Sequence, residues 1–370
     1  MVRLRLPEDR ITASQLAISL ISTIVGVEAF IMPRSVVESA GRDGWLSILI
    51  GGVLAILVVL GLCYLGTSYP GESPVTYFAK ILGKVLGNFT ISVFLVFYLC
   101  LCGWVLRIFG DMVKVYLLTK TPIEVIIFSM LLTAAYLVNH GVNPLVRAIQ
   151  VFFPLLIIPV AVVILMVQGL VDYRQLLPVM SGGLLPVLKG SINGYVVFSG
   201  FGVIAFLLPS MANPREGFKA ASLGMGLVVG IYLIIFILTI AHFGPVETGF
   251  AIYPVIDLVR EVRAPGAFLE RLDLFLLFFW ILTVFISVAV LFYVVVLGFS
   301  QLLGLKEQRP LVYLVLPLIY LVAMRPRDFD STELLGLWMG YGSMALASVV
   351  LLMILIVWAK KLPGGAKNAK

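Results

Sequence analysis

Apolar runs of about 20 residues recur along the whole chain, and they constrain its fold more than any other feature. A run of that length crosses the hydrocarbon core of a bilayer, about 30 Å thick, as an α-helix. Lipid offers the backbone no hydrogen-bond partners, so only helix bundles and closed barrels span it, and the alternating pattern of barrel strands is absent. No polar stretch is long enough for a separate soluble domain. The sequence predicts an all-α integral membrane protein with one membrane domain, residues 1–370.

We predict ten transmembrane helices, with two further segments on the surface of the bundle. The surface segments are a short amphipathic helix within 74–87 and a longer connection, 243–271, packed over one face. With the N-terminus inside, 14 basic residues fall in cytoplasmic segments and about ten outside, which favours cytoplasmic N- and C-termini. The spans lie at about 11–33, 44–67, 88–117, 122–139, 146–168, 186–209, 218–242, 272–303, 309–325 and 333–358.

Several functional classes receive no support from the composition. The net charge of +7 is spread through short loops and the C-terminal tail, so it indicates membrane topology and a lipid partner, not nucleic-acid binding. Cys63, Cys100 and Cys102 lie in apolar segments without metal-ligand spacing, and His140 and His242 fall at predicted span ends. No Walker motif, nucleotide fingerprint or nucleophile elbow is present. We therefore expect no enzyme activity, no cofactor and no metal site.

Two distant segments share the pattern Gly-Val-x-Ala-Phe-x-x-Pro, at 26–33 and 202–209. Five spans lead from one to the other, so the two copies are predicted to run antiparallel. Paired, glycine-interrupted helices in inverted halves indicate a transporter-type binding site. The alternative is chance similarity between apolar stretches. The predicted organisation is a first five-helix repeat at 11–168, a second at 186–358 and a cytoplasmic tail at 359–370, with the first and sixth helices broken.

The broken helices are the predicted ligand site. Glycine tolerates the backbone angles of an unwound segment, and unwinding exposes N–H groups at the positive end of a half-helix, where an anionic group binds well. A small zwitterion such as an amino acid could place its carboxylate there. The alternative is that the glycines only permit close helix packing. The candidate residues are Val25, Gly26 and Val27 in the first span and Ser199, Gly200, Phe201 and Gly202 in the sixth.

Glu28 is a carboxylate in the middle of a span, where charge is expensive and is usually paired or functional. Its position just after Gly26 favours interaction with the helix dipole. It could attract the ammonium group of a ligand, or it could carry a proton. The structural alternative is an ion pair with Arg107.

Arg107 and Asp111 form a candidate charge network in the outer half of the third span. Their i, i+4 spacing allows an intrahelical ion pair, and together they could line an aqueous vestibule. Tyr98, nearer the centre of this span, is a further candidate for ligand contact, with core packing as the alternative. Thr283 and Ser287 lie one turn apart in the eighth span. Their hydroxyls could help to coordinate an ion or could join two helices.

Three stretches of the sequence carry a recognisable pattern. They are Ile24-Val25-Gly26-Val27 through Pro33-Arg34, Phe198-Ser199-Gly200-Phe201 to Pro209, and Tyr253-Pro254 with Leu269-Glu270-Arg271-Leu272-Asp273 and Trp280. These stretches closely resemble the endospore germination permease family, the B subunits of GerA-type germinant receptors, and the resemblance covers essentially the whole chain. That family is related to the amino acid–polyamine–organocation transporters.

The resemblance implies a LeuT-like 5+5 inverted repeat with helices 1 and 6 unwound around the ligand. It also implies a sensor for a small germinant, often an amino acid, sugar or nucleoside, in the spore inner membrane. Such a sensor acts with an A subunit and a lipoprotein C subunit. The alternatives are a proton- or cation-coupled amino-acid permease and a water or ion conduit. A lysine that could replace sodium is absent from the fifth span, where residues 152–168 carry no charge.

One departure from the family pattern concerns the acidic group. The sixth span of the family commonly reads Gly-Phe-Glu, where this chain has Gly200-Phe201-Gly202, and the first span commonly has glycine where this chain has Glu28. We hypothesise that the carboxylate has moved from one unwound helix to its partner.

Overall fold

The computed structural model describes residues 10–261 and 272–361, and its regular structure is helical. Short 3-10 turns connect several of the helices. The helices are α1 (Ala13–Ile24), α2 (Glu28–Ala40), α3 (Gly44–Ser68), α4 (Pro74–Leu82), α5 (Lys84–Tyr116), α6 (Ile123–Asn139), α7 (Val142–Val167), α8 (Leu184–Val196), α9 (Ile204–Leu207), α10 (Gly217–Phe250), α11 (Pro254–Glu261), α12 (Leu272–Leu302), α13 (Arg309–Met324) and α14 (Phe329–Lys361).

The predicted multi-pass helical architecture is confirmed. Within the described ranges, six helical segments are long and apolar enough to cross a membrane, and the bent pair α8 and α9 makes a seventh. The shorter apolar helices α1, α6 and α13 coincide with the first, fourth and ninth predicted spans. Each of the ten predicted spans therefore falls on an apolar helix or on a broken pair.

The first predicted span is broken at its glycine. A capping box of Thr12 and Gln15 starts α1, and the helix ends at Ile24, before α2 begins at Glu28. We placed the end of the span at Pro33, but α2 continues seven residues further, to Ala40. Pro33 removes one backbone hydrogen bond of α2, and proline is tolerated inside helices of membrane proteins where neighbouring groups satisfy the freed carbonyl.

The sixth predicted span is broken as well. Helix α8 ends at Val196, a 3-10 turn covers Ser199–Val203, and α9 follows with a bend of 42° between the two halves. The turn packs against α1, so the two breaks lie side by side. The backbone of Ile11 pairs with the segment after α9, through its N–H to the carbonyl of Ser210 at 2.9 Å.

The two broken helices have reciprocal packing partners. Both halves of the first, α1 and α2, pack on α10, and both halves of the second, α8 and α9, pack on α3. Since α3 and α10 are the second and seventh predicted spans, this exchange is the arrangement expected of an inverted repeat. The repeat boundaries 11–168 and 186–358 themselves stay a prediction.

Two short helices lie outside the run of spans. The amphipathic α4 packs its buried face on α5. Beyond a kink at Gly244, where φ is +73° and glycine is favoured, the connection forms α11, which packs against α2, α10 and α12. A helix over this connection is as predicted. Residues 262–271, with Leu269–Arg271 of the family motif, and 362–370 of the predicted tail lie outside the described residues.

Candidate ligand-binding site at the helix breaks

Side chains from two neighbouring spans bind the carbonyl groups that the first break frees. The hydroxyl of Tyr232, on α10, donates a hydrogen bond of 2.7 Å to the carbonyl oxygen of Ile24. The hydroxyl of Ser287, on α12, donates one of 2.7 Å to the carbonyl oxygen of Ser22. The backbone N–H of Gly26 also donates to the Ile24 carbonyl oxygen, at 2.8 Å. A buried carbonyl without a partner is costly, and together these bonds hold the end of α1 in its broken geometry.

Gly26 lies directly against α12. The indole N–H of Trp280 donates to the Gly26 carbonyl oxygen at 3.4 Å. A Cβ atom at position 26 would stand 2.9 Å from the Ser287 hydroxyl oxygen, closer than side chains ordinarily approach. The absence of a side chain at Gly26 therefore permits a close contact between the break and α12.

The second break is filled by α5. The hydroxyl of Tyr98 donates a hydrogen bond of 3.1 Å to the carbonyl oxygen of Ser199. The same hydroxyl occupies the space in which a Cβ atom at Gly202 would lie. The hydroxyl of Ser199 donates to the Val196 carbonyl, and both Ser199 and Phe201 are buried. Tyr98 thus serves as a packing and hydrogen-bonding partner of the break.

Glu28 occupies the first turn of α2 and is 7% exposed. One of its carboxylate oxygens would lie 3.7 Å from a Cβ atom at Gly26, so the carboxyl group stands beside the break. Among the described residues it forms no ion pair, with Arg107 or with any other side chain. A carboxylate at the N-terminal end of a helix is stabilised by the helix dipole. Glu28 therefore places an acidic side chain of the protein itself at the end of α2 where an anion is favoured.

Glu28 lines a cavity, called here the Glu28 cavity, which lies between α2, α5, α8 and α14. Its volume, about 200 Å³, suits a small organic molecule or several waters. Aliphatic side chains make up much of the wall. Its other lining residues include the polar side chains of Arg34, Glu38, Asn193 and Glu333 and the aromatic rings of Trp104, Tyr253, Phe329 and Tyr341.

Arg34 joins α2 to α14 within this cavity. Its Nε lies 3.0 Å from a Glu38 carboxylate oxygen, and its Nη2 lies 3.7 Å from one of Glu333. The guanidinium carbon also stands 4.9 Å from the ring centroid of Phe329, a cation–π contact. Arg34, the one guanidinium among the described lining residues, therefore already contacts two carboxylates and an aromatic face.

A second cavity lies on another side of the first break and is almost wholly apolar. It is lined by Val25, Gly26 and Thr283, together with aliphatic residues of α7, α10, α11 and α12. The Thr283 hydroxyl donates to the Trp280 carbonyl within its own helix. This cavity has almost no polar groups with which to orient a charged ligand.

Arg107 and Asp111 line a third cavity, on a different face of α5 from the one that meets the Glu28 cavity. Arg107 Nε lies 3.0 Å from Asp111 Oδ2, and the Arg107 side chain is 7% exposed. The exposed residues Lys114 and Glu124 share this cavity with Asp328, whose carboxyl pKa is lowered by hydrogen bonds from the hydroxyl and backbone N–H of Ser331. The site is a charged vestibule separate from Glu28.

The structure therefore distributes the predicted site residues over several places. Glu28 lines the Glu28 cavity, whereas Val25, Gly26 and Thr283 line the apolar cavity. Val27, Tyr98, Ser287 and the residues of the second break are buried in packing contacts. A Cβ atom at Gly200 would meet Thr23 and Ile24 of α1 at ordinary contact distance.

Sequence reasoning missed Tyr232, Trp280 and the Arg34 ion cluster. A buried tyrosine hydroxyl usually has a hydrogen-bond partner, so Tyr232 in an otherwise apolar span could have been suspected. The pairing of Arg34 with Glu333 joins residues about 300 positions apart, and no local pattern indicates such a contact.

Comparison with known proteins agrees with this architecture. A family model described as "Spore germination protein" matches residues 10–332. The chain is 30% identical over 358 residues to Spore germination protein YndE of Bacillus subtilis (strain 168), covering 96% of this chain and 98% of that protein. It is 27% identical over 363 residues to Spore germination protein B2 of the same organism, covering 97% and 98%.

A solved structure shares the fold. It is a Na⁺-coupled sialic acid symporter in a substrate-bound, outward-open state. It aligns with a TM-score of 0.61 over 94% of this chain and 77% of the symporter, at 13% sequence identity. The likeness confirms the predicted transporter-like fold, and at this identity it bears on the fold alone.

Proposed function

This chain belongs to the spore germination protein family, and we propose that it is a receptor subunit that binds a small germinant in the Glu28 cavity. Ligand binding is proposed to be signalled to an A subunit and a lipoprotein C subunit and so to trigger germination. We place the chain in the spore inner membrane with both termini in the cytoplasm, and we assign it no enzymatic step.

The observation that carries the proposal is a buried carboxylate that lies beside a helix break, lines a cavity of molecular size and has no ion pair among the residues that the structure describes. Glu28 is 7% exposed and lines a cavity of about 200 Å³. An ionisable group inside a membrane protein is expensive and generally functional. Here its cost is offset if a ligand of opposite charge occupies the cavity.

The cavity walls also suggest how occupancy could be signalled. Glu28 belongs to α2, the second half of a broken helix, whereas Glu333 belongs to α14 and Asn193 to α8. A ligand that contacts all three stabilises one relative position of these helices. A population shift of this kind requires only that the ligand bind one arrangement better than another.

Two other functions use the same fold. A proton- or cation-coupled amino-acid permease would release the ligand on the opposite side of the membrane. A conduit would pass water or ions without binding a ligand. The hydroxyl of Ser287 is already bonded to the Ser22 carbonyl, so that hydroxyl supports helix association more directly than ion coordination.

Ligand-dependent thermal stability of the receptor complex, co-expressed and purified in detergent, tests the proposal. The panel comprises amino acids, sugars, nucleosides and primary amines, and a ligand present at a hundredfold excess over its Kd stabilises the folded state by about 2.7 kcal/mol. We expect at least one compound to raise the melting temperature of the wild-type complex. The Glu28→Gln variant should lose that shift, and Glu124→Gln, in the separate charged vestibule, should retain it.

A shift that survives in Glu28→Gln, or is lost equally in Glu124→Gln, would contradict the assignment of the site. Flux of the same compound into vesicles that contain the purified chain would favour the permease. Flux of ions or water without any compound would favour the conduit.

A further inference from the structure

The Glu28 cavity carries an excess of negative charge. Among the residues that the structure describes, its ionisable lining groups are the three carboxylates of Glu28, Glu38 and Glu333 and the one guanidinium of Arg34, a formal net charge of −2 when all four are ionised. If Glu28 is protonated, the formal net charge of these lining residues is −1. Such a cavity repels an added carboxylate and attracts a cation.

The positions at which a ligand carboxylate would bind are already filled by the protein. The N-terminal end of α2 carries Glu28 in its first turn, and that is where the helix dipole favours an anion. Arg34 is engaged by Glu38 at 3.0 Å and by Glu333 at 3.7 Å. A ligand carboxylate would have to displace one of these groups, whereas a ligand ammonium group would not.

The aromatic lining favours the same kind of ligand. Trp104, Tyr253, Phe329 and Tyr341 line the cavity along with its acidic residues. Aromatic faces attract cations, and this cavity already holds one in that way, because Arg34 lies over the Phe329 ring at 4.9 Å. The indole N–H of Trp104 donates to the Thr332 carbonyl at 3.0 Å, which fixes the orientation of that ring.

We propose that the Glu28 cavity selects an organic cation, namely a primary amine with an apolar body and no carboxylate. The proposal rests on the assignment of the Glu28 cavity as the ligand site. The ammonium group binds between Glu28 and Glu333, and the apolar body lies against the aromatic and aliphatic wall. The ligand thus adds a second link between α2 and α14 beside the one that Arg34 makes.

Two series of matched probes test the charge preference in the purified receptor complex. The first consists of 2-phenylethylamine, phenylalanine and 3-phenylpropionate, and the second of 3-methylbutylamine, leucine and 4-methylpentanoate. Within a series the apolar body is nearly constant and the charge changes from cation to zwitterion to anion. Dissociation constants are measured from thermal stabilisation as a function of probe concentration.

We expect the amine of at least one series to bind at least about tenfold more tightly than the zwitterion, and the anion not to bind. Glu333→Gln, at the more exposed side of the cavity, should reduce the preference for the amine without preventing folding. Glu124→Gln, in the separate vestibule, should leave it unchanged.

A zwitterion that binds as tightly as its amine, with binding lost in Glu28→Gln, would overturn the cation preference and leave the ligand site intact. Stabilisation that is equal in wild type, Glu28→Gln and Glu333→Gln would overturn both. If none of the six probes raises the melting temperature, the cation preference is overturned. The broader panel then still tests whether the Glu28 cavity is the ligand site.

Discussion

The hydroxyl of Tyr232 donates a hydrogen bond of 2.7 Å to the carbonyl oxygen of Ile24, the last residue of α1. Tyr232 is fully buried on α10. At the helix end the carbonyl lacks the amide partner that a continuous helix would supply, and its backbone donor is instead the N–H of Gly26, at 2.8 Å. A side chain 208 positions away therefore completes the hydrogen bonding of the break, and the broken geometry depends on the packing of α10 against α1.

Replacing Tyr232 with phenylalanine should destabilise the fold, because it leaves the Ile24 carbonyl without this donor. We expect a loss of about 1 kcal/mol in the free energy of unfolding, measured by titration with a denaturing detergent. Tyr313→Phe is the matched control, since Tyr313 is 67% exposed on α13, and it should have no measurable effect. Equal effects of the two substitutions would contradict the role given to Tyr232.

A double-mutant cycle tests the close contact between Gly26 and Ser287. Gly26→Ala should destabilise the protein, because its methyl group would stand 2.9 Å from the Ser287 hydroxyl oxygen. In a Ser287→Ala background that oxygen is gone, and Gly26→Ala should cost less by about 1 kcal/mol. Strictly additive effects on the free energy of unfolding would show that the two positions do not meet.

The contacts of Tyr232 with Ile24 and of Gly26 with Ser287 show which parts of the site could be predicted from the sequence. The repeated glycine-proline pattern predicted both breaks, because glycine and proline act on the backbone locally. It did not predict which groups complete the freed carbonyls. Tyr232, Ser287 and Tyr98 reach the breaks from three other helices, and which side chain reaches which carbonyl depends on tertiary packing that one sequence does not reveal.

Gly202 gives a direct test of the hypothesis that a carboxylate has moved between the broken helices. The Tyr98 hydroxyl occupies the space of a side chain at this position, so Gly202→Ala should cost about 1–3 kcal/mol of unfolding free energy. Gly226→Ala on α10 is the control, because nothing lies within 4 Å of a Cβ atom there.

For the same reason, the double variant Glu28→Gln, Gly202→Glu should not recover the ligand response that Glu28→Gln loses. Thermal stabilisation by the panel compounds measures that response. Recovery in the presence of Tyr98 would show that the second break has room for an acidic side chain and would support the exchange.

Asp111→Asn should destabilise the C-terminal part of α5. The substitution leaves the Arg107 guanidinium, 7% exposed, without its carboxylate partner, which we expect to cost about 1–3 kcal/mol. Detergent-denaturation titrations of Asp111→Asn and of Glu124→Gln in the same cavity measure the difference. Equal stability of the two variants would mean that the ion pair contributes nothing to the fold.

The sequence predicted the ion pair of Arg107 and Asp111 but not that the cavity these two residues line is separate from Glu28. The i, i+4 spacing predicted that Arg107 and Asp111 can meet, because helix geometry alone fixes that distance. Whether they share a cavity with Glu28 depends on the rotation of α5. The structure directs Trp104 and Ile108 towards Glu28 and directs Arg107 and Asp111 towards the vestibule.

Protection of a cysteine introduced in the Glu28 cavity tests the central claim most directly. Ser35 lines this cavity, and Ser35→Cys is nearly isosteric. The background carries Cys100→Ala, because Cys100 is the native cysteine that is only partly buried. Cys63 and Cys102 are fully buried and stay in place. The rate of modification by a charged thiosulfonate reagent is measured with and without the compound that most stabilises the complex. We predict that the compound slows modification of Ser35→Cys and leaves that of Glu124→Cys unchanged; unaltered modification of Ser35→Cys at a saturating concentration would contradict the account.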